Sequence, residues 1–157
     1  MGEEHELLEP AIDAGRSLPG DDANFIDLSD GIDFGLNGQR IIEVPENTEQ
    51  TEALRNPRSG FIAYVPMGSI KKGESLVTTG GNGKTVQCSL CHGADLKGLG
   101  PVPGIAGRSP SYMVRQMYDM QAGARHGVWT ELMKPVVAKL TDEDFVAIAA
   151  YVSSRMP

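Results

Sequence analysis

The chain has 157 residues, 40% hydrophobic and 22% charged, with a formal net charge of −7. That is about one domain's worth and enough to bury a core, while no stretch reaches the roughly 20 apolar residues of a membrane helix. Nineteen glycines and ten prolines imply many turns. Aromatics are only 6% of the chain, which leaves room in the core for another large apolar body.

Charge divides the chain. Residues 1–68 hold 14 Asp and Glu against 4 Arg and no Lys, a net of −10. Residues 69–157 hold 10 Lys and Arg against 7 Asp and Glu, a net of +3. This places a composition boundary near Gly68.

Residues 1–40 lack sustained periodicity, and Gly15, Pro19-Gly20, Gly31, Gly35 and Asn37-Gly38 punctuate them closely. They read as mostly irregular. The apolar runs Arg40–Val44 and Phe61–Val65 read as extended segments lying on the back part. Between them, 47–55 reads as a short helix capped by Asn47, followed by a turn over 56–60.

The back part reads as helices. Ser69 is expected to cap a helix that runs through Val77 and stops at Gly80-Gly81. Ser109 followed by Pro110 is a second helix start, and that helix carries Tyr112, Met113, Gln116, Met117 and Met120 before ending at Gly123. Thr141 with Asp144 three residues on forms an Asp variant of the capping box. Phe145, Ile148, Ala149 and Val152 then make one apolar stripe.

The two cysteines lie three positions apart, within Cys-Ser-Leu-Cys-His-Gly at 88–93. A disulfide across so small a loop adds little stability, so the spacing points to chemistry. Two thiols at this spacing can each add to one of two neighbouring vinyl groups of a haem. The next residue, His92, then lies under the iron and supplies a nitrogen ligand. Cys-x-x-Cys-His is the attachment signature of c-type haem. A thioredoxin-like pair wants a strand before it and a long helix after it, where this chain has Gly80, Gly81, Gly83, Gly93, Gly98 and Gly100. A zinc site needs more Cys or His ligands, and only His5 and His126 remain.

The second axial ligand should come from well downstream. Candidates are Met67, Met113, Met117, Met120, Met133 and His126. Met117 and Met120 sit in an amphipathic helix, where methionine is more often core. Met133 follows the glycine-punctuated stretch 122–127 and precedes Lys134-Pro135, which reads as a loop able to reach over the haem face.

From about Ser69 to Pro157 the chain resembles a class I cytochrome c, in particular one half of the bacterial two-haem class I cytochromes. The matching residues are the motif at 88–93, Pro-Gly-Ile-Ala-Gly-Arg at 103–108, Tyr112 with Gln116, Ala-Gly-Ala-Arg at 122–125, Met133, Leu-Thr-Asp-Glu-Asp-Phe at 140–145 and Ala-Ala-Tyr-Val at 149–152. The resemblance implies a mainly α fold, a small helical domain around one haem at 69–157; composition and punctuation put an irregular acidic extension at 1–68 before it, expected to pack on that domain. The resemblance implies His92 and Met133 as iron ligands. It also implies that the Pro103 carbonyl accepts the proton on the histidine's other ring nitrogen, which orients the ligand. The single Cys-x-x-Cys-His departs from two-haem relatives.

Several residues carry two readings each. Arg108 and Arg125 can pair with haem propionates or stay solvated. Tyr112 can reach a propionate or pack on its helix face. Trp129 can meet the haem edge or a propionate, or be an ordinary buried aromatic with a satisfied N–H. His126 can compete for the iron or lie at the surface. The acidic front can be a solvated cover or a docking surface for a basic partner.

The function expected is single-electron transfer between redox partner proteins, with one covalent haem c. A haem-containing subunit of a larger oxidoreductase is an alternative. A haem enzyme or ligand sensor with a displaceable sixth ligand is another. No nucleic-acid partner is expected, and the oligomeric state is left open. Haem attachment of this type belongs outside the cytoplasm, so a periplasmic location is expected. The start at MGEEHELLEP has no signal-peptide character and reads as a scar where an export signal was removed.

Overall fold

The computed structural model of the protein describes residues 8–11, for which only the backbone is considered, and 40–157. The readings on the remainder of 1–40 lie outside the described residues. A three-stranded antiparallel sheet leads the fold. Strands β1 (Leu8–Ala11) and β2 (Ile42–Pro45) flank the central β3 (Phe61–Pro66), with Glu9 opposite Val65 and Val44 opposite Ile62. Ala63 and Val65 of β3 are buried while Ile62 and Tyr64 beside them are half-buried, the period-two burial of a strand with one covered face. Strand β1 corrects the irregular reading at residues 8–11. Between β2 and β3 a π-helical turn spans Glu49–Ala53, and Asn47 Oδ1 accepts from Gln50 N–H at 2.9 Å.

Helix α1 (Ser69–Thr79) follows directly from the sheet. Its cap is not Ser69. Gly68 takes the position in a left-handed conformation (φ 83°), and Ser69 becomes the first, buried, helical residue with no capping bond from its side chain. Gly80 (φ 75°) ends the helix as expected. Helix α2 (Ser89–His92) is a single turn, and the short strands β4 (Gly98–Leu99) and β5 (Val102–Pro103) form a hairpin behind it.

Helix α3 (Pro110–Gln121) starts as read, with Ser109 Oγ accepting from Tyr112 N–H and Pro110 at the first position. Met113 and Met117 are buried on its inner face. Helix α4 (Thr130–Val137) is a correction: the segment around Met133 is helical although Pro135 lies inside it. Helix α5 (Asp142–Ser153) has both bonds of the capping box between Thr141 and Asp144. Its burial exceeds the expected stripe, because Val146, Ala147, Ala150 and Tyr151 are buried too. Such a helix is enclosed on most of its circumference, here by α1 and α3.

The core joins Leu76 and Val77 of α1, Met113 and Met117 of α3, and Phe145 and Ile148 of α5. The front sheet is tied onto it. Ile41 packs against the core, and Ser109 Oγ donates to the Glu43 carboxylate of β2 at 2.9 Å. No helix among the described residues is long and apolar enough to cross a membrane.

Candidate functional site

The candidate site is built around α2. Cys88 N–H donates to Val77 O at 3.0 Å, which hangs the motif on the end of α1. The Cys88 carbonyl accepts from Cys91 N–H at 3.3 Å and His92 N–H at 2.9 Å. One helical turn thus sets Cys88, Cys91 and His92 as near neighbours, since residues three and four apart share a face.

Both thiols are free. Burial pushes the Cys88 thiol up to about 11, helped by the Cys91 thiol, while a backbone hydrogen bond works the other way. It is therefore protonated at neutral pH. A disulfide-exchange pair needs a lowered thiol pKa, so this environment argues against thioredoxin-like chemistry. Among the described residues no three His, Cys, Asp or Glu groups gather into a metal-holding cluster.

His92 is oriented by the hairpin. Gly93 turns the chain at φ 86°, where a Cβ would come within 2.9 Å of Gly98 O. Leu96 O accepts from Ile105 N–H at 2.8 Å and Ala106 N–H at 3.1 Å, closing the loop. This puts the Pro103 carbonyl oxygen 2.7 Å from His92 Nδ1. A carbonyl can only accept, so Nδ1 carries the proton and Nε2 keeps its lone pair for a metal.

Met133 lies on α4, half-buried against the core, rather than in a loop. Met120 is half-buried as well, Met113 and Met117 are buried, and Met67 is exposed. Trp129 is 61% exposed at the start of α4, so it is not an ordinary buried aromatic. Tyr112 and His126 are exposed. Arg108 Nε donates to Gly104 O at 3.3 Å, and Arg125 donates to the Gln116 side chain.

The motif offers two thiols for covalent attachment to a haem and the His92 Nε2 for its iron, and methionine thioethers on α3 and α4 are further ligands of the kind such an iron takes. The apolar surroundings suit the porphyrin. Leu90 in the motif, Leu99 on the hairpin, and Val128, Trp129 and Leu132 around the start of α4 are all open to solvent.

Two residues that sequence reasoning passed over join the parts. Thr85 Oγ1 donates to Val136 O at 2.7 Å, and Gln121 Nε2 donates to Val137 O at 2.6 Å and Leu140 O at 2.8 Å. No motif or spacing signals either one, because their partners are backbone carbonyls remote in sequence.

Helices α1, α3 and α5 around a Cys-x-x-Cys-His turn define a cytochrome c domain, and known proteins place it further. No family model matches the chain. Cytochrome c-554(548) of Halomonas halodenitrificans is 40% identical over 76 residues, which cover 48% of this chain and 92% of that protein. The thiosulfate dehydrogenase electron acceptor of Stutzerimonas stutzeri is 37% identical over 81 residues, 50% of this chain but 36% of that protein. Among solved structures, cytochrome c4 of Acidithiobacillus ferrooxidans superposes with a TM-score of 0.51 at 30% identity, over 55% of this chain and 49% of that one. The chain thus spans nearly all of one relative and half or less of the other two.

The chain belongs to the class I c-type cytochromes, resembling one domain of the two-haem members. It is an electron carrier whose cofactor is haem iron.

Proposed function

We propose that the chain carries a single haem c, attached through thioethers at Cys88 and Cys91 and ligated by His92 and Met133, and that it passes single electrons outside the cytoplasm. The observation that carries this reading is the His92 Nδ1 to Pro103 O distance of 2.7 Å beside the two thiols. It leaves Nε2 free and aimed by a fixed partner. When bound, haem supplies the one-electron ferric/ferrous couple. Each thiol adds its S–H across one vinyl double bond, with no net oxidation.

The protein's part is to hold and tune. His92 is held in one tautomer by Pro103, a partner of the kind that orients metal-bound histidine. Met133 as second ligand would raise the potential relative to a nitrogen ligand, and two protein ligands would leave no position for substrate. Arg108, Tyr112, Arg125 and the exposed Trp129 indole are the groups available to the propionates. The acidic segment 1–68 precedes the haem domain of 69–157, and its described part meets that domain through the Ser109–Glu43 bond and the packing of Ile41. Its net of −10 suits docking to a basic redox partner.

A second reading is an electron-transfer subunit of a larger oxidoreductase. It is favoured by the relative whose name describes an electron acceptor of thiosulfate dehydrogenase. Acid–acetone extraction of the exported holoprotein tests the central reading. One haem per chain should stay with the protein, and Cys88→Ala or Cys91→Ala should impair attachment. Haem that washes out of the parent protein overturns it.

A further inference from the structure

Helix α4 is poorly able to hold its own shape. It has eight residues, no side chain caps its start at Trp129, and Pro135 inside it has no N–H to give to the Glu131 carbonyl. Helices this short are marginal without outside support. The support comes from two distant side chains. Thr85 Oγ1 takes Val136 O, while Gln121 Nε2 takes both Val137 O and Leu140 O.

Thr85 is itself anchored. Its backbone N–H donates to Gly80 O at 3.0 Å, at the end of α1. The contact there is close, since a Cβ on Gly80 would lie 2.6 Å from Thr85 O. Three residues later Cys88 N–H is held by Val77 O. The Thr85 hydroxyl therefore bridges the segment that enters the attachment motif to the helix that carries Met133. Gln121, at the end of α3, holds the same helix from its other neighbour.

Resting on the assignment of Met133 as iron ligand, we infer that Thr85 and Gln121 are positioning residues that keep the Met133 sulfur at the iron. They thereby set the redox potential and the ease with which an outside ligand displaces that sulfur. Neither residue touches the iron. Each acts on the backbone one turn beyond Met133, where a small shift of α4 withdraws the thioether. Loss of the Thr85 hydroxyl takes a donor from the Val136 carbonyl, and loss of the Gln121 amide takes one from Leu140 and from Val137, which keeps its bond from Leu140 N–H; partners of this kind affect metal ligation strongly.

The test uses holoprotein variants Thr85→Val, Gln121→Met, Thr85→Ser and Met133→Ala, with Thr78→Val as control. Thr78 makes a similar bond, to Glu74 O, but within its own helix. Cyanide binding to the ferric protein and the potential are read for each. Thr85→Val and Gln121→Met should each bind cyanide roughly five-fold more readily than the parent and show a lower potential. Thr85→Ser, which keeps the hydroxyl, and Thr78→Val should behave like the parent. Should Thr85→Val fail to retain haem, Gln121→Met carries the test. If Met133→Ala opens the iron while Thr85→Val and Gln121→Met match the parent, the inference is overturned and the Met133 assignment stands. If Met133→Ala itself matches the parent, the ligand assignment falls and the inference with it.

Discussion

Gly73 of α1 lies so close to Ala147 of α5 that a Cβ at Gly73 would fall 1.9 Å from the Ala147 carbonyl oxygen. The glycine is what lets the two helices cross. Ala is the better helix former by about 1 kcal/mol, yet Gly73→Ala should destabilise the protein, by roughly 2 kcal/mol or more, because overpacking at a buried crossing outweighs propensity. Thermal unfolding of the holoprotein measures it. A variant as stable as the parent would mean that the crossing is looser than it looks.

Asp144 predicts an acid response. Its side chain is 0% exposed. Burial pushes its carboxyl up, but ion pairs with Lys84 and Lys72 and hydrogen bonds from Thr141 outweigh this and bring it down to about 2. A lowered carboxyl pKa stabilises the fold above the unfolded value of 3.8, and the gain is lost as pH falls through the folded value. The parent should therefore lose on the order of 2 kcal/mol between pH 5 and pH 2 from this group. Asp144→Asn should be less stable at neutral pH and flatter over that range. At the alkaline end Lys72 has the opposite sign. Burial lowers its pKa, but Glu143 and Asp144 raise it above 10.5 overall. Its contribution is complete below 10.5 and lost above the folded value.

Met133→Ala should open the iron to cyanide and carbon monoxide and lower the potential by on the order of 0.1 V or more. Met120→Leu should leave the spectrum unchanged. Met117→Leu should too, at a stability cost under about 1.5 kcal/mol for a volume-conserving core change. An unchanged spectrum in Met133→Ala would hand the position to Met120 or His126.

Neutralising the acidic side chains of residues 1–68 should slow electron transfer to a basic partner about ten-fold at low salt and flatten the salt dependence. Substitution is the cleaner route here, because deleting residues 1–38 also strips β1 from β3. Stopped-flow rates across an ionic-strength series check this. An unchanged slope would take the front charge out of docking.

What could be read from the sequence was mostly local. The Thr141–Asp144 box and the Ser109-Pro110 start each lie within a few residues, so sequence displays them directly. Cys-x-x-Cys-His is equally local. Strand β1 was not legible, since Glu9-Pro10 shows no alternation and its partners Val65 and Tyr64 are far along the chain. The cap of α1 was misplaced by one residue because left-handed Gly68 takes a role that Ser69 could fill. Gly127 and Pro135 point to a loop where α4 lies. Its last turn is bonded by Thr85 and Gln121, and no window around Met133 contains either.

The Asp144 carboxylate also has a kinetic meaning. Its two lysines come from α1 and from the loop after it, so one buried group ties α5 to both. Those segments should open to solvent together, as one cooperative unit in amide hydrogen exchange. Amides of α1 and α5 facing the Gly73 crossing should then be the last to exchange. The short α4 should exchange well before them, so that the helix bearing Met133 can move while the rest of the domain stays closed.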